Sequence, residues 1–307
     1  MLNKFRNLLQ RPPAPQAPIA APLPYGHVSL FHWRPLDGRV NFGDHLSQIV
    51  VSRLLAERSL TLDDEVEQGA RLLAIGSILH FAGDGDVIWG SGVNGKVPES
   101  CFTAKRLDVR AVRGPLTEEF LRARGHRVPA VYGDPALLVP LLFGGRFRPT
   151  GEQALVFVPN LHDLPFVAGK PNVVSPLSGW NTVITEILKA RLVLASSLHG
   201  LVIAEAFGIP ARYVRLSDTE NLFKYQDYYY GTGRGQFEYA KSIPEGLEMG
   251  GMPSFSFDPQ PLLAAFPWDL WRQSARTAMG VAAVPPTDDG RGGIPMSTSE
   301  TGHIGRA

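Results

Sequence analysis

Arg191–Leu216 reads RLVLASSLHGLVIAEAFGIPARYVRL. Five apolar-rich residues, Arg191–Ala195, have the length and composition of a buried strand. Gly200–Phe207 continues as a helix that Gly208-Ile209-Pro210 stops. Arg212–Leu216 is again strand-like. Strand, helix and strand in so few residues make a parallel crossover, the unit of an α/β fold. At the turn from strand to helix stands His199, behind Ser196-Ser197 and before Gly200. Packing has no need of an imidazole there, so the turn is a candidate for chemistry.

The same unit recurs upstream. His27–Trp33 reads as a first strand, followed by NFGDHL (41–46) and a helix over Leu46–Arg58. Ala70–Ile75 ends in Gly76-Ser77, and Val87–Trp89 in Gly90-Ser91-Gly92. Leu107–Val112 precedes RGPLTEEFLRARG (113–125), a helix with Pro115 at its start and Gly125 at its end. Ala130–Tyr132 leads into Gly133-Asp134-Pro135. A second series follows FGGRFRPTG (143–151), which reads as a hinge. Strands are expected at Ala154–Val158 and Asn172–Ser175, and a helix at Asn181–Ala190. The expected class is α/β, with two Rossmann-like domains facing across a cleft: 25–145 and 150–282. Residues after Phe237 should pack back on the body, with PWDLW as an anchor.

The termini read differently. Met1–Gln10 has apolar residues at helical spacing with Lys4 and Arg6 opposite, and a proline-rich linker follows; 1–24 is set apart as a basic amphipathic start. Residues 283–307 are rich in Gly, Ser, Thr and Pro, the composition of a disordered tail.

Composition excludes several classes. The formal net charge is +1, with no concentrated basic stripe, so a nucleic-acid partner is not expected. The single cysteine, Cys101, rules out an internal disulfide and a cysteine zinc site. No apolar run approaches the ~20 residues of a membrane span. A cytoplasmic protein is expected, with peripheral contact at the inner membrane face as a further expectation.

In open parallel sheets, ligands bind beyond the carboxyl ends of the strands. The polar candidates all fall there: Asn41, Gly43 and Asp44; Ser77; Gly92; Arg113; Asp134; and Ser196, Ser197, His199 and Gly200. Glycines admit close approach, and helix N-termini present free N–H groups to anions. Each residue also has a structural reading. Asp44 and Asp134 suit helix caps. Arg113 can pair with Glu118 or Glu119. His199 can be an interior histidine or a cap, and Glu205 a solvated face. No His/Asp/Glu cluster has metal-ligand spacing, and no cofactor is called for.

NFGDHLSQIVVSRLL, LLAIGSILHFAGDGDVIWGSGVNG, VRGPLT, VYGDPALLVP, SSLHGLVIAEAFGIP and LFKYQDYYYGTGR occur in that order between Val28 and Arg234. Together they resemble the polysaccharide pyruvyltransferases, above all the succinoglycan-type ketal-pyruvate transferases of exopolysaccharide biosynthesis. The resemblance implies a GT-B-like fold and transfer of pyruvate from phosphoenolpyruvate to a sugar as a cyclic ketal, with release of phosphate. It also implies a saccharide acceptor, in lipid-linked form at the inner membrane face. Many members carry Ser-Arg-Leu-His-Gly where this chain has Ser197 before Leu198, so Lys224 in FKYQDYY is the expected substitute for an anion ligand. On this reading His199 is the acid, Asp44 or Asp134 the base, Arg113 and Lys224 the anion ligands, and Asn41 a sugar or turn contact. Two other readings stay open. One is a GT-B glycosyltransferase using a nucleotide sugar, with Glu205 on the ribose. The other is a non-catalytic carbohydrate-binding protein stacking sugars on Tyr225, Tyr228, Tyr229 and Tyr230.

Overall fold

A computed structural model describes residues 23–34 and 37–272. The expectations for the amphipathic start, most of the proline-rich linker and the 283–307 tail lie outside the described residues.

Two parallel sheets carry the molecule. The first has the order β1 (Val28–Phe31), β2 (Ala70–Leu73), β3 (Val87–Trp89), β4 (Asp108–Ala111), all neighbours parallel. Its crossovers include α1 (Phe42–Ala56), and α2 (Pro115–Arg122) follows β4. A short 3-10 turn, Pro135–Leu138, runs into α3 (Val139–Phe143) and ends the first series. The second sheet is β5 (Gln153–Val158), β6 (Ala190–Ala195), β7 (Ala211–Tyr213), again parallel. Between its strands lie α4 (Leu164–Val167), α5 (Trp180–Leu188) and α6 (Leu198–Ala206). The chain then adds α7 (Phe223–Gly231), α8 (Ile243–Met249) and α9 (Gln260–Ala264). The mixed α/β class with parallel sheets is as expected from the repeating strand, glycine turn and helix.

Several expected elements differ in extent. α1 begins at Phe42, because Asn41 caps it by accepting a hydrogen bond from the Gly43 N–H. Ala130–Tyr132 and Asn172–Ser175 form no full strands; each contributes one parallel bridge, Val112 to Tyr132 and Phe157 to Val173. Asn172 takes a positive φ of 62° beside Pro171, which has no N–H to give a ladder. The 143–151 stretch is anchored: Phe147 is buried against Phe143, Trp180 and Phe207.

One apolar cluster runs through both sheet systems, joining Leu46 and Val50 of α1, Leu138 beside α3, Ile184 of α5 and Leu201 of α6. Burying a side chain such as Leu46 contributes roughly 1.5–3 kcal/mol. The Phe42 N–H also donates to the Pro176 carbonyl, so the start of α1 is tied to the second series. The chain's later elements return to the first sheet. α7 packs on α2. Trp89 donates to the Leu262 carbonyl, Trp271 to that of Thr61, and Arg110 pairs with Asp269. The PWDLW segment is therefore an anchor, and it grips the first sheet, although the sequence assigned it to the second domain.

Candidate active site

The carboxyl ends of β1, β2, β3, β5, β6 and β7 open on one cavity of about 300 Å³. Six of the sequence candidates line it: Asn41, Asp44, Ser77, Ser197, His199 and Lys224. Local structure explains how they arrive. β6 ends in Ala195, and Ser197 caps α6 by accepting from the Gly200 N–H, so His199 sits in the first turn and projects from the strand end. Asp44 lies in the first turn of α1, one residue beyond Gly43. It is not the cap.

His199 is held on two sides. Its Nε2 lies 3.5 Å from Oδ2 of the buried Asp134. Asp134 is oriented in turn because its Oδ1 accepts from the Ala136 N–H, capping the 3-10 turn. The structural reading of Asp134 is thus correct, but it does not exclude the other role. The opposite edge of the ring rests on Gly43: a Cβ there would come within 2.3 Å of His199 Nδ1. Gly43 is a packing surface for the imidazole. Gly200 likewise seats α6 on β5, where a Cβ would meet Val158 at 2.8 Å. Ser196 is fully buried; its hydroxyl accepts from the Asn160 N–H and its carbonyl from Tyr225. These three do not face the cavity.

Arg113 is a correction. The guanidinium does not open on the cavity and pairs with neither Glu118 nor Glu119. It is fully buried against Asp227 at 3.0 Å. Asp227 also accepts from the Thr117 hydroxyl and N–H, while Arg113 donates to the Val93 carbonyl and to Ser77 Oγ at 2.6 Å. Arg113 therefore acts through Ser77, one residue behind the cavity wall. Gly92 is there to make room for it, since a Cβ would lie 2.4 Å from the guanidinium carbon. Burial explains both: a charge this deep needs a partner and satisfied donors. Glu205 is also committed. It is ion-paired with Arg234 and accepts from Tyr228, so it neither faces solvent nor stands open to a ribose.

Lys96, Glu220, His162, Trp33, Phe81, Asn94 and Asn160, absent from the sequence candidates, complete the cavity. Lys96, after β3, and Lys224, on α7, both bind the buried Glu220, at 2.8 and 2.5 Å. His162 approaches the same carboxylate at 3.9 Å. Trp33, Phe81, Asn94 and Asn160 add polar and aromatic surface. Each lies in a segment that follows a strand end, and that position is the signal the sequence carries.

Burial and neighbouring charges shift several groups in the cavity. Burial pushes the Asp44 carboxyl up to about 6, against the opposing pull of His199 and Lys224. Burial also lowers Lys224, with Glu220 resisting. For Glu220, burial works upward but the two lysines outweigh it and hold it below the usual range. A carboxyl poised near neutrality beside cations is a suitable proton carrier. Among the described residues, no group of three or more His, Cys, Asp or Glu is placed to hold a metal ion. None of the described helices is long and apolar enough to cross a membrane.

Known proteins match this chain. The family model described as polysaccharide pyruvyl transferase matches residues 62–218. Succinoglycan biosynthesis protein ExoV of Rhizobium meliloti (strain 1021) is 29% identical over 255 residues, covering 75% of this chain and 75% of the relative. Uncharacterized protein L143 of Acanthamoeba polyphaga mimivirus is 23% identical over 238 residues, covering 70% of this chain and 80% of its own. Among solved structures, the uncharacterized protein KP1_0663 of Klebsiella pneumoniae aligns with a TM-score of 0.48 at 12% identity, over 71% of this chain and 93% of that one.

Proposed function

The chain belongs to the polysaccharide pyruvyl transferase family, and from that premise we propose that it moves pyruvate from phosphoenolpyruvate onto a sugar of an exopolysaccharide or its oligosaccharide precursor, as a ketal. The observation that carries the reading is the juxtaposition, in one cavity, of His199 backed by Asp134, the carboxyl of Asp44, and the lysine pair Lys96 and Lys224. A proton donor, a proton acceptor and two cations are what the reaction needs.

Phosphoenolpyruvate carries a phosphate and a carboxylate. Lys224 and Lys96, both paired with Glu220, bind these anions. His199 delivers a proton to C3, and C2 becomes electrophilic. An acceptor hydroxyl adds to C2 while Asp44 takes its proton. The C2–O bond to phosphate breaks, phosphate leaves with the bonding electrons, and the second hydroxyl closes the ring. Of the two hydroxyl protons released, one replaces that spent on C3 and the other leaves with phosphate. Arg113 positions Ser77. The α6 start adds N–H groups near the anions. In this reading the two sheet systems form a GT-B-like pair, with the acceptor entering on the side of the first sheet.

A nucleotide-sugar reaction loses its ribose ligand, because Glu205 is occupied by Arg234. Calorimetric titration with phosphoenolpyruvate and with UDP decides between them. Phosphoenolpyruvate should bind wild type and bind Lys224→Ala at least tenfold more weakly. Binding of UDP alone would overturn the reading.

A further inference from the structure

The acceptor side of the reaction proposed above has structure of its own. β2 lies between β1 and β3, and neighbouring strands are about 4.8 Å apart, so the loops after β1 and β3 stand about 10 Å from each other. Lys96 follows β3. Trp33 follows β1, and Phe81 follows β2. The cavity therefore has a cationic side and an aromatic side. Trp33 and Phe81 are 36% and 41% exposed, and both line the cavity, so their rings are open to stacking by a sugar.

Beyond Trp33 lies a second cavity, of about 290 Å³, lined by His32, Arg34, Arg39, His45 and Gln48. Trp33 and Asn41 line both cavities. The charges of the second one do not cancel. Arg39 pairs with Asp37 at 2.6 Å. Arg34 donates Nε to His32 Nε2 at 2.8 Å, and among the described residues no carboxylate pairs with it. Burial first, then Arg34 and His45, lower His32 to about 4; burial and Arg34 also lower His45. His32 is thus neutral near pH 7, with its Nε2 taken by Arg34, and His45 and Gln48 add further polar groups to the lining. One uncompensated guanidinium among neutral polar groups, entered past an exposed indole, suits a saccharide with an acidic group.

We propose that this second cavity is an acceptor subsite for an anionic group carried next to the sugar that receives pyruvate, with Trp33 as the stacking platform between the two. The anion chemistry is shared by the carboxylate of an acidic sugar and by a phosphate joining the saccharide to a carrier.

The test is calorimetric titration of the full chain, with phosphoenolpyruvate saturating. The probes are cellobiose, a glucuronosyl-glucose disaccharide, and glucose joined through a diphosphate to a short isoprenol. At least one anionic probe should bind about tenfold more tightly than cellobiose. Arg34→Ala should remove that advantage, Arg34→Lys restore part of it, and Trp33→Ala weaken all three probes. Preference for the glucuronosyl probe identifies an acidic sugar; preference for the diphosphate identifies a carrier linkage. Equal affinity for neutral and anionic probes, an advantage that survives Arg34→Ala, or no binding of any probe would overturn the subsite. If phosphoenolpyruvate itself fails to bind, the donor reading falls alone, and the same probes titrated without it still decide the subsite.

Discussion

Arg113 and Asp227 meet at 3.0 Å with both side chains fully buried, joining the start of α2 to the helix that carries Lys224. The pair sits where the chain has no slack. A Cβ at Gly114 would fall 1.9 Å from the Asp227 carbonyl, and one at Gly231 would fall 2.2 Å from that of Arg113. Asp227→Asn leaves a buried guanidinium unpaired and should cost about 3–5 kcal/mol of stability. Replacing both partners with apolar residues of similar volume should cost much less. Urea unfolding of the two single variants and the double variant measures this; equal losses in all three would refute it.

Gly43 is tested by adding one methyl group. Alanine favours helices, so the α1 backbone accepts Gly43→Ala. The His199 ring must then move. The expected result is a kcat lowered about 10–100-fold with the fold retained, as for a small misplacement of a reacting group. Steady-state kinetics with far-UV circular dichroism checks it. Unchanged kcat would show that the imidazole position is not critical.

Asp44 links activity to stability. Its folded pKa of about 6 exceeds the ordinary 3.8. The folded state therefore binds more protons between these values, and stability falls as pH rises through that window, then levels off above it. The cost of ionising the buried carboxyl is roughly 2–3 kcal/mol. Asp44→Asn should unfold at a higher temperature than wild type at pH 8, and at about the same temperature below pH 4. Its transfer activity should be lost, while wild-type kcat should rise with pH through about 6. Melting curves at the two pH values and a kcat profile test this, and a lower melting temperature at pH 8 would contradict it.

Lys96 should separate binding from chemistry. It reaches Glu220 at 2.8 Å from the loop after β3, so its ion pair is with Glu220 and not with the proposed acid or base. Lys96→Ala should raise the KM for phosphoenolpyruvate about tenfold with kcat changed less than threefold. Lys96→Arg should recover part of the affinity. A drop confined to kcat would move Lys96 out of the donor site.

Much of this was legible before any coordinates. The crossover at 191–216 announces parallel strands, because a buried strand and a helix have different apolar periods. The strand ends announce the site, because parallel sheets gather their carboxyl ends on one edge. Of the strand-end candidates, Asn41, Asp44, Ser77, Ser197 and His199 line the cavity, as does Lys224, which the family resemblance points to; Gly43, Gly92, Arg113, Asp134, Ser196 and Gly200 do not line it. Arg113 was not legible in this way. A polar residue at a strand end looks the same in sequence whether its head points into the cavity or into the core, and only Asp227, far along the chain, pulls it inward. Glu220 was invisible for a similar reason: it matters because two lysines from distant segments converge on it.

The sequence by itself determined the alternation of strands and helices, the parallel class, the cluster of polar turns and the family. These follow from local periodicity and from order along the chain. Tertiary structure alone decided which polar groups face one another: His199 with Asp134, Lys96 and Lys224 with Glu220, Arg113 with Asp227. Burial makes each choice, because a charge removed from water must find its partner wherever the fold has brought one near.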